Sequence, residues 1–471
     1  MPAETAIARR ELVFRLRDYL GQLSTDSHRT LTRSIDRARS RGETSPVHSI
    51  IMDALRGVSD WQDPDARVMS AERAFFEPLT PIIISPPLPD KEVGLIDRAS
   101  LRAIWSWITR DVVPDRCDGE LAALRASVVE EEVEQILEYA DDLRRTAFMH
   151  AAVIMEETEK NHGSLRRIEG QLGSARVLAD LHDIMAFNQQ LPMLNVFLSR
   201  LPEKMPVGRE SLDKLQNAIK AYDERPNSDA IYAFAAVASR MGALSDLVRF
   251  AVFHANSGDP VIIRQTRAAG AVQIALAEAT RLVERFRITL LEEADVGSVA
   301  DTLKEFHELA SAIKRTLDDT PNDPWLKRLS TIRERASEIL AKELEPLPHL
   351  IRRSITVMES RGQEIIPDDA SVDEAVFGIK LLMVARDVRG SLALNALIER
   401  VGKSVEDMLE NQGKAAIDRL NTAGDDNWEA AEGRSKAAVR LFGVYHGGVY
   451  GQSMARRHAQ TVQARKFAKA G

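Results

Sequence analysis

The sequence contains a single cysteine, Cys117, among its 471 residues. One cysteine cannot form an internal disulfide, and this scarcity is typical of proteins from reducing compartments. It also excludes the zinc-finger and iron–sulfur sites that need several cysteine ligands at fixed spacings. We therefore expect a cytoplasmic protein rather than a secreted domain that disulfides stabilise.

Long uninterrupted apolar runs are also missing. The most apolar window, residues 230–253, contains Arg240, Asp246 and Arg249, whose charges are costly at the centre of a bilayer. We expect this window to form one buried core helix, and we expect no integral membrane segment. The charged residues 1–20 lack the apolar stretch of a secretory signal, which again favours the cytoplasm.

Aromatic residues make up only 5% of the chain, whereas hydrophobic residues as a whole make up 44%. Most of the apolar residues are Ala, Leu, Val and Ile, and both Ala and Leu are strong helix formers. From Val129 to Ile154, apolar residues recur at steps of three and four, which predicts one face of a long helix. A second such run covers residues 394–420, and its slip near Gly413 predicts a kink.

These patterns predict an all-α fold of long antiparallel helices packed as bundles, without significant β-sheet. An elongated arrangement and an irregular solenoid are both compatible with the pattern, although no internal repeat of fixed period is present. Two motifs mark helix starts. Asp323 precedes a proline at the first helical position, and Ser371 has capping-box spacing to Glu374.

Five prolines between Pro78 and Pro89 form the clearest break in the helical pattern. Proline lacks a backbone N–H and fixes φ, so we expect no helix there but an extended or polyproline II segment. A surface connector with the isoleucines 82–84 packed into a groove is one interpretation, and a docking peptide is the other. The chain then divides into an N-terminal helical region at 1–77, a Pro-rich connector at 78–96, a long-helix bundle at 97–225, a helical bundle at 226–365 and a C-terminal helical region with a basic tail at 366–471.

His150 and the adjacent pair His182-Asp183 give the sharpest indication of an enzyme. Imidazoles and a carboxylate can hold a divalent metal that activates water for attack on a phosphate ester. The pattern resembles that of the HD-domain phosphohydrolases, which are all-helical and bind metal through a His, a His-Asp pair and a later Asp. The resemblance implies metal ligands at His150, His182, Asp183 and Asp246. The alternative, which we adopt, places the pair on a helix surface or makes the histidine a hydrogen-bonded residue, and it assigns no catalytic, cofactor-binding or metal-ligating residue.

Charge is distributed unevenly along a chain whose net charge is −8. Residues 434–471 carry +8 without any Asp or Glu, residues 1–41 carry +4, and residues 42–433 therefore carry −20. The C-terminal segment could bind an anionic membrane or nucleic acid, or it could dock on the acidic body of the chain itself. Its cations, called the basic tail below, are Arg434, Lys436, Arg440, Arg456, Arg457, Arg465, Lys466 and Lys469.

The function that we expect is that of a non-catalytic helical adaptor or scaffold that binds other proteins through helix faces and needs no cofactor. Long apolar seams with few aromatics favour helix–helix packing. The same seams fit an intramolecular bundle and self-association into a homo-oligomer equally well. A metal-dependent phosphohydrolase and a binder of anionic lipid or nucleic acid through the basic tail are the two alternatives.

Overall fold

The computed structural model describes Ile51 and residues 71–113, 133–159, 162–224, 229–291, 296–357, 359–360, 363–364, 366–392 and 394–470. It confirms the all-α fold, with helices packed against one another throughout. None of the described helices is both long enough and apolar enough to cross a membrane. Cys117 and most of the predicted N-terminal helical region lie outside the described residues.

The helices, in chain order, are α1 (Ala71–Phe76), α2 (Arg98–Trp107), α3 (Val133–Glu159), α4 (His162–Leu172), α5 (Ala175–Ser199), α6 (Arg209–Asp223), α7 (Ala230–Ala238), α8 (Ser245–Ala255), α9 (Pro260–Arg264), α10 (Ala269–Leu291), α11 (Val296–Thr316), α12 (Pro324–Leu344), α13 (Leu347–Ile355), α14 (Asp369–Asp387), α15 (Asn395–Met408), α16 (Lys414–Arg419), α17 (Trp428–His446) and α18 (Gly448–Ala470). Short 3-10 helices cover Glu77–Ile82, Arg389–Ser391 and Asp425–Asn427, and π-helical turns cover Ile108–Val112 and Leu409–Gly413. Strands β1 (Ile83–Ile84) and β2 (Ile96–Asp97) pair in parallel, and β3 (Glu359–Ser360) pairs with β4 (Gln363–Glu364) in antiparallel fashion.

The chain forms two compact units. The first comprises residues 1–75 and 114–146, and the second comprises residues 76–113 and 147–471. Within the first unit, Arg144 donates from Nη1 to the carbonyl oxygen of Phe75 at 3.2 Å and pairs with Asp141. Every site discussed below belongs to the second unit.

Helix α10 forms the centre of the second unit, where it packs against α7, α8, α11 and α12. Its buried face is rich in alanine and glycine, whose small size lets neighbouring helices approach closely. A Cβ on Gly270 would stand 3.1 Å from Cδ2 of Phe234, which is itself fully buried. Burying a phenylalanine of this kind contributes about 1.5–3 kcal/mol to folding, so close packing at α10 is a main source of stability.

The apolar window at residues 230–253 does not form one helix, so that expectation is wrong. It divides into α7 and α8, and the break contains Met241 and Gly242. The backbone N–H of Gly242 donates to the Met205 carbonyl oxygen at 3.0 Å, and a Cβ at this glycine would stand 2.7 Å from the same oxygen. The hydrogen bond to a distant loop thus takes these residues out of the helix.

The proline-rich segment also departs from the expectation, because residues 77–82 form a 3-10 helix instead of an extended path. Pro78 lies in the first turn and sacrifices no hydrogen bond there, since the first N–H groups have no helical acceptor, whereas Pro81 lies inside the helix. Ile82 and Ile84 are buried, as the connector interpretation requires. The chain then returns through β2, which lies beside β1.

The two helix-start motifs have opposite outcomes. The carboxylate of Asp323 accepts from the backbone N–H groups of Trp325 at 2.9 Å and Leu326 at 3.2 Å, as predicted for the cap of α12. The capping box at Ser371 is wrong, because α14 begins earlier and is capped by Asp368. Asp caps as well as Ser, so the first competent residue after the preceding proline starts the helix.

The predicted irregularity near Gly413 is a π-helical turn that joins α15 to α16. A Cβ at Gly413 would stand 2.8 Å from Cε2 of Phe442, whose ring is completely buried. The insertion of one extra residue in the turn explains the slip of the apolar seam, since it shifts the following side chains around the helix axis.

Helices α17 and α18 form a hairpin whose corner is Gly447, at φ +80. Two further glycines face each other from either side of the corner, where a Cβ on Gly451 would stand 2.5 Å from Cα of Gly443. Farther along the hairpin, the hydroxyl of Ser435 and Nδ1 of His458 lie 2.8 Å apart. The glycine-rich spot in the sequence therefore brings two helix backbones together.

Candidate functional site

Asp183, one member of the His-Asp pair, lies in a buried polar network centred on Lys91. The ammonium nitrogen of Lys91 lies 2.5 Å from Oδ2 of Asp183 and 2.9 Å from Oδ1 of Asp180. The backbone N–H of Gly94 and the hydroxyl of Tyr232 also donate to Asp183, both at 3.2 Å. Lys91 additionally donates to the carbonyl oxygen of Leu95 at 2.5 Å. The network holds the proline-rich loop against α5 and α7.

Burial governs the electrostatics of this network. Asp180 is completely buried, and Ser100 donates from its hydroxyl to Oδ2 of Asp180 at 2.5 Å. Burial raises the pKa of Asp97, and the neighbouring charge of Asp180 raises it further, against opposing effects from Ala99 N–H and Arg176. Burial and the charge of Asp183 likewise raise the pKa of Tyr232 well above its ordinary value. The ammonium group of Lys91 lies between the two buried carboxylates, so the arrangement stabilises the loop.

The four residues of the phosphohydrolase pattern occupy three different helices. His182 is exposed although Asp183, its neighbour on α5, is buried. Asp246 lies in the first turn of α8 and accepts from Nη1 of Arg249 at 2.7 Å, and His150 lies on α3. In the part of the chain that the structure describes, no three His, Cys, Asp or Glu side chains are placed to hold a metal ion. The phosphohydrolase interpretation stays a prediction.

Arg434, the first cation of the basic tail, is buried and pairs with Glu364. Arg419 pairs with the same carboxylate from another helix. Burial by itself would raise the pKa of Glu364, but hydrogen bonds from Arg419 and Arg434 outweigh it and hold that pKa below its usual value. This ion triad attaches α17 to the β3–β4 hairpin and to α16.

Three further cations of the basic tail also bind acidic groups of the same chain. These ion pairs join Arg440 to Asp373 at 2.6 Å, Arg457 to Asp418 at 2.7 Å, and Arg465 to Asp425. The guanidinium of Arg465 also stacks over the Trp428 ring at 4.0 Å. The side chains of Lys436, Arg456 and Lys466 are exposed, and that of Lys469 lies outside the described residues. These contacts fit docking of the tail on the acidic body, while its role as a surface for an anionic partner stays a prediction.

An apolar groove lies between α5 and α6, and we refer to it as the α5/α6 groove. It encloses about 230 Å³, less than the ~300–1,000 Å³ of typical small-molecule pockets. Small side chains at Ala218 and Ala221, three residues apart on α6, form one wall. Its lining consists of Pro192, Met193, Val196, Phe197, Arg200, Ala218, Ala221 and Tyr222.

The walls of this groove offer shape and apolar surface but little chemistry. Pro192 and Val196 lie along one stripe of α5 with Arg200, at steps of four residues, and all three are exposed. The Tyr222 ring packs against Phe197 with centroids 5.6 Å apart, and its hydroxyl donates to the buried Gln190. Among the described residues that line the groove, none is His, Cys, Asp, Glu, Lys, Ser or Thr. Its one cation, Arg200, stands at the end of the stripe.

Comparison with known protein-family models, curated proteins and solved structures gave no match to this chain. The site must therefore be assessed from its own residues. Sequence reasoning missed both Lys91 as the partner of Asp183 and the groove on α5. Pro192 was an available signal, because a proline inside a helix removes a hydrogen bond and marks an irregular helix surface.

Proposed function

We propose that the chain is a non-catalytic helical adaptor and that the α5/α6 groove receives a helical segment of a protein partner. The observation that carries the proposal is an exposed apolar concavity between two helices. Recognition of an amphipathic helix uses this kind of groove, with apolar anchors spaced three or four residues apart. The described lining contains no His, Cys, Asp, Glu, Lys, Ser or Thr, and the hydroxyl of Tyr222 is engaged by Gln190, which favours binding over catalysis.

The charge at the groove specifies the partner further. The guanidinium of Arg200 is exposed at the end of the apolar stripe, so a partner helix gains most if it carries an acidic residue beside its apolar anchors. Val196 is 47% exposed, and covering it would remove apolar surface from water at about 25 cal/mol per Å². A partner segment with two apolar anchors and one carboxylate is the occupant that fits these features.

The test compares two substitutions that place the same charge on similarly exposed apolar residues. Val196→Asp introduces a carboxylate into the groove, whereas Met383→Asp introduces one on α14, where Met383 is 41% exposed and does not line the groove. The tagged full chain and both variants are purified from the native host at moderate salt, and co-purifying proteins are quantified by mass spectrometry.

We expect one stoichiometric protein to accompany the wild type and the Met383→Asp variant and to be lost from Val196→Asp. Arg200→Glu should weaken the same complex, because it reverses the only charge in the groove. Retention of that partner by Val196→Asp, or the lack of any stoichiometric partner on the wild type, would contradict the proposal.

A further inference from the structure

A second concavity, which we call the basic groove, lies between the end of α13 and the outer face of α15. It encloses about 400 Å³ and has an exposed rim. Two arginines and a lysine reach it from two different helices, together with a hydroxyl and two amides. Its lining consists of Arg352, Arg400, Lys403, Ser404, Asp407, Met408, Asn411 and Gln412.

The three cations of the basic groove stand out in a chain with an excess of acidic residues. Among the described residues, neither Arg352, Arg400 nor Lys403 forms an ion pair. Some other exposed arginines of the second unit do form one, for example Arg440 with Asp373 at 2.6 Å. The acid in the groove, Asp407, takes part in no described ion pair either, so the lining carries a formal charge of +2. Because three cations face a single acid, the groove is a site of net positive charge.

The neutral lining residues add directed hydrogen-bond donors. Oε1 of Gln412 accepts from the hydroxyl of Thr356 at 2.9 Å, which leaves the amide N–H groups of Gln412 as the groups available to a ligand. Gln412 and Asn411 belong to the π-helical turn, and turns of this kind occur frequently at functional sites. The groove thus combines guanidinium, ammonium and amide donors, a set that matches the oxygens of a phosphate.

We infer that the basic groove binds a phosphorylated serine or threonine in an exposed segment of a protein partner. The phosphate, with a charge of about −1.5 to −2, would lie against Arg352, Arg400 and Lys403. Asp407, which is exposed, can accept from a backbone N–H or pair with a basic residue of that segment. The inference rests on the proposed function, since it supplies a second contact for an adaptor.

A protein segment fits this groove better than a small organic phosphate. Small-molecule sites bury about 70–90% of their ligand, whereas the rim residues Arg352, Arg400, Lys403 and Asp407 are all exposed. A ligand that stays partly in water needs further contacts on either side of the phosphate. Clusters of arginine on an open surface recognise phosphorylated protein motifs in this manner.

The experiment measures binding of a fluorescent degenerate peptide library with a central phosphoserine to the purified full chain, by anisotropy at physiological ionic strength. The unphosphorylated library serves as the reference probe. Arg352→Glu and Arg353→Glu form a matched pair, because both residues are exposed in the last turn of α13 and only Arg352 lines the groove. Inorganic phosphate and free O-phosphoserine are the competitors.

We expect the phosphorylated library to bind at least about tenfold more tightly than the unphosphorylated library. The unphosphorylated peptides lack at least one charge-assisted hydrogen bond, and the loss of one such bond implies a difference of this size. Arg352→Glu should abolish this preference, and Arg353→Glu should retain it. The absence of a preference, equal losses in both variants, or displacement by free phosphate at the concentration of the peptide would overturn the inference. Val196→Asp should leave phosphopeptide binding unchanged, so failure here is distinguishable from failure of the α5/α6 groove.

Discussion

Replacing Lys91 with methionine should strongly destabilise the second unit. The substitution keeps most of the side-chain volume but removes the cation between Asp180 and Asp183, and the side chain of Asp180 is completely inaccessible to water. Breaking a buried ion pair by removing one partner costs about 3–5 kcal/mol, because the remaining charge stays buried and unpaired. We therefore expect Lys91→Met to lower the free energy of unfolding by about that amount at neutral pH.

The assay is urea unfolding followed by circular dichroism, with Lys214→Met as the matched control. Lys214 pairs with Glu210 at 2.7 Å, but both side chains are exposed, and exposed ion pairs contribute little to stability. The variant with Lys91→Met, Asp180→Asn and Asp183→Asn should recover much of the lost stability, because it buries no unpaired charge. A destabilisation by Lys91→Met no larger than that of Lys214→Met would refute the reasoning.

Three further predictions concern packing, charge and capping. Gly451→Ala should reduce the free energy of unfolding by about 1–3 kcal/mol, because its Cβ would meet Gly443 at 2.5 Å. Gly170→Ala is the control and should be neutral or stabilising in the same urea titration, because its Cβ would meet nothing within 4 Å. Glu364→Gln should be destabilising at neutral pH. Because the folded-state pKa of Glu364 lies below its usual value, the difference in stability from the wild type should shrink as the pH falls through that folded-state pKa. Urea unfolding at a series of acidic pH values measures this difference. Asp97→Asn should not lower the thermal midpoint at neutral pH, because burial already disfavours the charged carboxylate by raising the pKa of Asp97, and because Asn retains the helix cap. Asp97→Ala removes the cap and should lower the free energy of unfolding by about 1 kcal/mol.

Local sequence patterns predicted those features of the helices that depend only on residues close together in the chain. The cap at Asp323 and the irregular turn near Gly413 could both be read from spacing alone. The division of residues 230–253 into two helices could not, because its cause is a hydrogen bond from Gly242 to Met205, which is distant in sequence. Tertiary contacts of this kind override helix propensity.

The candidate site was less accessible to sequence reasoning for the same physical reason. The sequence gives no indication that Lys91 neutralises Asp183, since the two residues are far apart in the chain and meet only after folding. The α5/α6 groove depends on the relative placement of Val196 and Ala218, which no periodicity specifies. By contrast, the docking of Arg434 and its neighbours on acidic groups follows the charge separation that the sequence displays.

The most direct test of the adaptor proposal places a photo-crosslinking amino acid at Met193, inside the α5/α6 groove, in the native host. A matched chain carries it at Met383, outside the groove. The proposal predicts one discrete crosslinked protein from position 193, absent from position 383, whose crosslinked segment is helical and carries an acidic residue beside apolar anchors. Equal crosslinking from both positions, or none from position 193, would contradict the proposal.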